Sequence, residues 1–135
     1  MKTAVLDTNV VVSALLFGGE TARLVALWQS NAFALLASAA IIEEYARVLS
    51  YPKFQLTDAE IREMLNEDIL PFVTPVRVKK IPRVNSKDPS DDKFLACAVV
   101  GKADAIVSGD HHVLELRAYR SISILPVQAF LKTIG

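Results

Sequence analysis

The chain has 135 residues, of which 52% are hydrophobic and 22% charged, with 15 Lys plus Arg set against 15 Asp plus Glu. This composition is globular, not disordered, and the length suits a single domain, 1–135, that buries roughly two thirds of its unfolded surface. A single cysteine, Cys97, excludes a disulfide framework and zinc-finger chemistry, and zero net charge excludes a scaffold that coats nucleic acid by bulk charge.

Thr3-Ala4-Val5-Leu6 reads as a buried strand, followed by helical material through Leu16 and a Gly18-Gly19 break. The apolar stretch ahead of Asp7 is too short for a signal-peptide core. Thr21 to Trp28 carries apolar residues at helical spacing, and Phe33 to Ala37 is a second strand. The uncharged run from Leu24 to Ile42 is long enough to raise the question of a membrane span. Gln29-Ser30-Asn31 interrupts it, so it reads as helix end, turn and strand, and the expectation is a cytoplasmic protein with no membrane partner.

Ser38 is placed to cap a helix through Leu49, stopped by Pro52. Thr57 and Glu60 form a capping-box start for a helix running to about Leu70. A weaker strand, Val73 to Val78, precedes a polar loop from Lys79 to Pro89. Ser90 to Val100 reads as a helix ended by Gly101. Ala105 to Ser108 and Ile122 to Leu125 read as strands, and Pro126 opens a C-terminal helix. Fully apolar strands alternating with helices imply a parallel sheet covered on both faces, an α/β domain.

In such folds ligands gather at the carboxyl ends of the strands. Asp7 directly follows the first strand, Asp110 lies just beyond the strand that ends at Ser108, and Asp92 opens the helix leading into that strand. Each acid alone reads as an ordinary cap or dipole partner. Their convergence at one sheet edge points instead to a site. On the helix after Ser38, Ile41, Ile42, Tyr45, Val48 and Leu49 make one apolar stripe. Glu43 points away from that stripe, whereas Glu44 borders it and reaches towards a cleft. Asp104 precedes its strand and belongs at the opposite edge.

Converging carboxylates repel one another or recruit cations. Oxygen-only donors suit Mg²⁺ or Mn²⁺, which activate water and stabilise leaving oxygens in phosphodiester hydrolysis. The residue chemistry therefore suggests metal-dependent phosphoryl transfer.

Leu6-Asp7-Thr8-Asn9-Val10, Ile41-Ile42-Glu43-Glu44-Tyr45, Asp91-Asp92-Lys93-Phe94-Leu95-Ala96 and Ser108-Gly109-Asp110 occur in the order of a PIN domain. The chain resembles a VapC-like member of that family, the ribonuclease toxin of toxin–antitoxin pairs, over essentially its whole length. The resemblance implies a three-layer α/β/α sandwich with a central parallel sheet. It also implies that Asp7, Glu44, Asp92 and Asp110 bind Mg²⁺ or Mn²⁺ and position the attacking water, with Asn9 and Ser108 as polar supports. An RNA substrate, a cognate antitoxin protein that blocks the pocket and a homodimer are further implications of the resemblance. Glu43 and Asp91 adjoin matched acids and leave each match open by one residue. Asp88 and Asp91 read as supporting groups or as caps.

Between Ile69 and Lys87 there is no acid, and Arg77, Lys79, Lys80, Arg83 and Lys87 are positive. They make either a rim that tracks RNA phosphates or a solvated loop. His111 and His112 read as solvated groups, Cys97 as a small core residue, and Trp28 as core or dimer packing. Ser13 lacks the Gly-x-Ser-x-Gly elbow of a hydrolase nucleophile, and no phosphate-binding glycine loop occurs. Two other functions compete: a non-catalytic PIN-like RNA- or protein-binding domain, and a phosphoacceptor signalling domain. The second needs a phosphorylatable Asp after a central strand beside a nearby Lys, and no strand ends in that arrangement.

Overall fold

In a computed structural model, which describes residues 1–79, 92–110, 114 and 117–134, six strands form one sheet. They are β1 (Thr3–Leu6), β2 (Ala34–Ala37), β3 (Val73–Pro75), β4 (Ala105–Val107), β5 (Ala118–Tyr119) and β6 (Ile122–Leu125), in the order β3-β2-β1-β4-β6-β5. All neighbours pair in parallel except β5 and β6. Among the described residues the α-helices are α1 (Thr8–Leu16), α2 (Arg23–Gln29), α3 (Ala39–Leu49), α4 (Asp58–Glu63), α5 (Asp92–Val100) and α6 (Val127–Ile134).

Successive side chains on a strand point to opposite faces of the sheet. Ala4, Val5 and Leu6 on β1, and Ala105, Ile106 and Val107 on β4, are all buried, so both faces are covered. That is an α/β/α sandwich with a mostly parallel centre. Towards the sheet margins burial becomes one-sided: Ile122 and Ile124 are buried while Ser123 between them is exposed, and Thr74 and Pro75 on edge strand β3 are exposed. The core is anchored by Trp28, Tyr45, Phe33 and Phe130, with Phe33 and Phe130 edge to face at 5.0 Å between centroids. Trp28 is thus a core residue, and its indole N–H donates to the Asp68 carbonyl at 2.8 Å.

The starts of α1, α3 and α4 follow from local capping. Ser38 Oγ accepts from the Ile41 amide at 3.4 Å, and Thr57 and Glu60 complete the reciprocal capping box of α4. The helix beginning at Asp58 does not stay regular to Leu70. It widens into a π-helix over Met64–Ile69 and closes with a 3₁₀ turn over Leu70–Phe72. Pro71 has no amide to continue the ladder, and the wider turn buries Ile69 while turning the Asp68 carbonyl to Trp28.

The strand expected over Val73 to Val78 is shorter for a similarly local reason. Its partner β2 ends at Ala37, which pairs with Pro75, and the last link is the Val76 amide to the Ala37 carbonyl at 3.0 Å. The two-residue β5 escapes sequence reading because it is shorter than any periodicity. It forms through a turn at Arg120, whose φ of 57° is left-handed. The run from Leu24 to Ile42 divides into α2, β2 and the start of α3, and no single described helix is long and apolar enough to cross a membrane.

The strand order positions the site. From β1 the chain moves outward to β2 and β3, then returns to place β4 on the other side of β1. The crevice at the carboxyl ends of β1 and β4 is therefore the topological switch point, where open α/β sheets bind ligands.

Candidate active site

Asp7 stands at the end of β1 and caps α1, its Oδ1 accepting from the Asn9 amide at 2.9 Å. From the neighbouring strand, Ser108 donates its hydroxyl to Asp7 Oδ2 at 2.5 Å and accepts from the Asp110 amide at 3.0 Å. One hydroxyl thus ties the two strand ends and both acids together across the switch point. Asp7 is only 7% exposed, and burial raises its pKa above the usual carboxylate value. The hydrogen bonds from Ser108 and Asn9 pull it back down, and the negative charge of Asp110 raises it again. Asn9 supports the acid through its backbone amide, while its side chain lines the cavity in front.

Glu44 comes from the second turn of α3 and faces the cleft, whereas Glu43 is exposed. Thr8 Oγ1 donates to Glu44 Oε2, and the Lys93 ammonium at the start of α5 pairs with Oε1. The Lys93 and Glu44 side chains are 15% and 14% exposed, so this ion pair is mostly shielded from water. Arg47 adds an exposed pair to Oε1 at 3.3 Å. One element further in, Tyr45 donates its hydroxyl to the Leu6 carbonyl at 2.5 Å, fixing α3 against the end of β1. Burial, ahead of the charges of Asp7, Cys97 and Glu44, holds the Tyr45 hydroxyl well above its ordinary pKa, so it remains a donor.

Asp7, Glu44 and Asp110 line one cavity of about 340 Å³, together with Thr8, Asn9, Arg47, Tyr51, Lys53 and Phe54. Asp92, the first residue of α5, is 2% exposed and is not among the residues that line it, although its neighbour Lys93 reaches Glu44. Asp104 bonds to the Thr3 amide at 2.9 Å, at the amino edge of the sheet away from the site. Cys97 is buried in the core, and burial pushes its thiol up to about 12. Arg77 lines a different groove with Glu43 and Leu70, and Lys79 is exposed. Lys80, Arg83, Lys87, Asp88, Asp91, His111 and His112 lie outside the described residues.

Sequence reasoning missed Thr8, Lys93, Tyr51 and Lys53. Thr8 and Lys93 each adjoin a chosen acid, which is a signal only after the fold brings α1, α3 and α5 together.

The donor set fits a hard cation. Its ligating atoms are carboxylate oxygens, and the mutual effect of Asp110 on Asp7 is the repulsion that a bound cation relieves. Among the described residues no three Asp, Glu, His or Cys side chains form a cage around one ion. Two carboxylates suffice for Mg²⁺, which keeps several waters and completes its shell with phosphate oxygens.

A mostly parallel α/β sandwich with an acidic cleft at its switch point is the class that fold and site define. A PIN domain model matches residues 3–112, a span that carries Asp7, Glu44, Asp92 and Asp110, and the chain belongs to the PIN domain family. Its fold is similar to the crystal structure of FitAcB from Neisseria gonorrhoeae, with a TM-score of 0.60 and 18% identity, covering 93% of this chain and 98% of that one. A comparison with curated proteins finds no match.

Proposed function

We propose that the chain is a Mg²⁺- or Mn²⁺-dependent endoribonuclease, the toxin of a toxin–antitoxin pair acting in the cytoplasm. The observation that carries this reading is the Asp7–Ser108–Asp110 linkage across the switch point, which joins the Asp7 carboxylate to the Asp110 backbone where both residues line one cavity. Asp7 and Asp110 would hold the metal, with Asp92 and Glu44 completing the acidic set directly or through water. When bound, the metal supplies an activated water and charge stabilisation for the leaving oxygen. Ser108 orients Asp7, while Thr8 and Lys93 fix Glu44 at the cavity wall. PIN family membership supports nuclease chemistry, and the VapC-like resemblance supports an antitoxin that covers the cavity and a homodimer.

The test compares wild type with Asp7→Asn on a mixed RNA pool in Mg²⁺, Mn²⁺ or EDTA. Wild type is expected to cleave only with metal, and the variant to lose at least 100-fold of that rate, in keeping with loss of a charged ligand. Equal cleavage by both proteins, or none under any metal, rejects the enzymatic reading. A non-catalytic PIN-like binding domain is the second reading. It is favoured by the occupation of both Glu44 oxygens by Thr8, Lys93 and Arg47. The same assay separates the two.

A further inference from the structure

Part of the lining of the acidic cavity has a different chemistry. After α3 ends, Tyr51-Pro52-Lys53-Phe54 forms a 3₁₀ turn over Pro52–Phe54. The Phe54 amide bonds to the Tyr51 carbonyl at 3.0 Å, and the Gln55 amide to the Pro52 carbonyl at 3.1 Å. Proline sets the backbone at the start of the turn and Gln55 closes it in a left-handed conformation at φ 54°, so its side chains project from a fixed base. Tyr51, Lys53 and Phe54 all line the acidic cavity, beside Arg47 one turn back on α3.

The aromatic surface continues past the cavity. Phe54 meets Phe17 with centroids 6.2 Å apart and planes tilted by 53°, and the Lys53 ammonium lies 5.1 Å above the Phe54 ring. Phe17, Lys53 and Phe54 line an adjoining groove of about 590 Å³, which shares Asn9, Lys53 and Phe54 with the acidic cavity. Tyr51 is 43% exposed and Phe17 is 55% exposed. A lone exposed aromatic needs no explanation. Here two flank Phe54, which is half-buried against Val12, Leu49 and Ile61, and they are interleaved with two cations.

The charge arrangement selects the occupant. Anionic phosphates are repelled by Asp7 and Asp110 but attracted by Lys53 and Arg47, which line the same cavity. Among the described residues Arg47 is held by an exposed pair to Glu44, which costs little to exchange for a phosphate. Aromatic faces beside cations fit unstacked bases joined by a phosphate backbone, which is single-stranded nucleic acid and not a duplex.

The geometry points to the Tyr51–Phe54 turn, continued by Phe17, as the platform on which single-stranded RNA is held for the acidic cavity. Tyr51 stacks a base, Phe54 backs the platform from the core side, and Lys53 and Arg47 contact the flanking phosphates. This assignment rests on the reading of the cleft as a ribonuclease site and names the surface that receives its substrate. It is separate from the groove that Arg77 lines, and Lys80 and Arg83, which the sequence also offers as RNA contacts, lie outside the described residues.

The test measures binding of a fluorescent single-stranded RNA of about ten nucleotides by anisotropy, in full-length Asp7→Asn protein with EDTA, so that no cleavage is needed. Tyr51→Ala is expected to weaken binding about five- to 150-fold, the range of one lost base stack, while Tyr51→Phe binds like the parent. Lys53→Ala is expected to weaken binding and to lower the slope of log affinity against log salt by about 0.7, one phosphate contact on a single strand. An abasic oligonucleotide of equal length is expected to bind weakly and to be insensitive to Tyr51→Ala, which a merely structural role for Tyr51 would not produce. Unchanged affinity in both alanine variants, or equal loss on normal and abasic strands, overturns the assignment. If the wild type cleaves RNA but these variants bind normally, the platform fails and the nuclease reading stands. If base-dependent binding is lost in the variants of a protein that never cleaves, the platform stands and the nuclease reading fails.

Discussion

Asp7 combines two conflicting demands. Its carboxylate is placed where burial and Asp110 both oppose ionisation, yet the metal-holding role proposed for it requires the charged form. Below the ordinary carboxylate range it is protonated in the folded and unfolded chain alike, and there is no penalty. As pH rises, the unfolded chain releases its proton first, so folding is increasingly opposed until the pH passes the raised folded pKa. At neutral pH the metal-free protein carries that full penalty. Asp7→Asn is therefore expected to melt at a higher temperature than wild type at pH 7 in EDTA, with the difference vanishing near pH 3. Mg²⁺ should reverse the order by stabilising only the wild type, by about 2.7 kcal/mol at a hundredfold excess over Kd. Calorimetry across pH with and without Mg²⁺ reads both effects. A variant that is less stable than wild type at pH 7 in EDTA would remove the argument.

At the scale of elements, the cleft is assembled by links between helices that are distant in sequence. Lys93 on α5 and Glu44 on α3 are joined by a mostly shielded ion pair, and Tyr45 joins α3 to the end of β1. Lys93→Ala leaves Glu44 with Thr8 and an exposed arginine, and is expected to lower stability by about 3 kcal/mol. The double variant Lys93→Ala/Glu44→Gln should recover part of that loss, because no charge is then stranded. An unchanged urea midpoint for Lys93→Ala would show the pair to be dispensable. Gly101 illustrates the same limit of local reading. Its place after α5 marks it as a helix stop, but a Cβ there would stand 2.9 Å from Val76 Cγ2 and 3.0 Å from the Cys97 carbonyl oxygen. Gly101→Ala is expected to cost about 1–3 kcal/mol through overpacking, and a melting temperature within a degree of wild type would contradict it.

Across the whole molecule, equal numbers of acids and bases conceal an uneven distribution. Several acids are drawn to one cleft, which leaves the remaining surface modestly basic, and two of its cations stand on the cleft's own wall. RNA affinity should therefore depend on a few local contacts and not on a broad basic field. With phosphate contacts at Arg47 and Lys53, raising salt from 50 to 200 mM is expected to weaken single-strand binding only about sevenfold. A loss above a hundredfold in an anisotropy titration would indicate a far larger cationic footprint than this wall provides.

The sequence by itself determined the order of the main strands and helices apart from β5, the helix caps at Ser38 and Thr57, the place of Asp104 at the opposite edge and the position of Glu44, not Glu43, at the cleft. All of these depend on near neighbours, through capping chemistry, strand direction or helical phase. The PIN-type order of acids was legible for the same reason, since each motif is local to one strand end or helix start. Only the tertiary structure decided what stands around those acids. Ser108 bridges Asp7 and Asp110 because β1 and β4 are neighbours, and Lys93 reaches Glu44 because α3 meets α5 at the cleft. The turn at Tyr51–Phe54 lines the same cavity as the carboxylates, which no spacing along the chain encodes. Contacts between residues dozens of positions apart are set by packing, and the partners of each acid belong to that level.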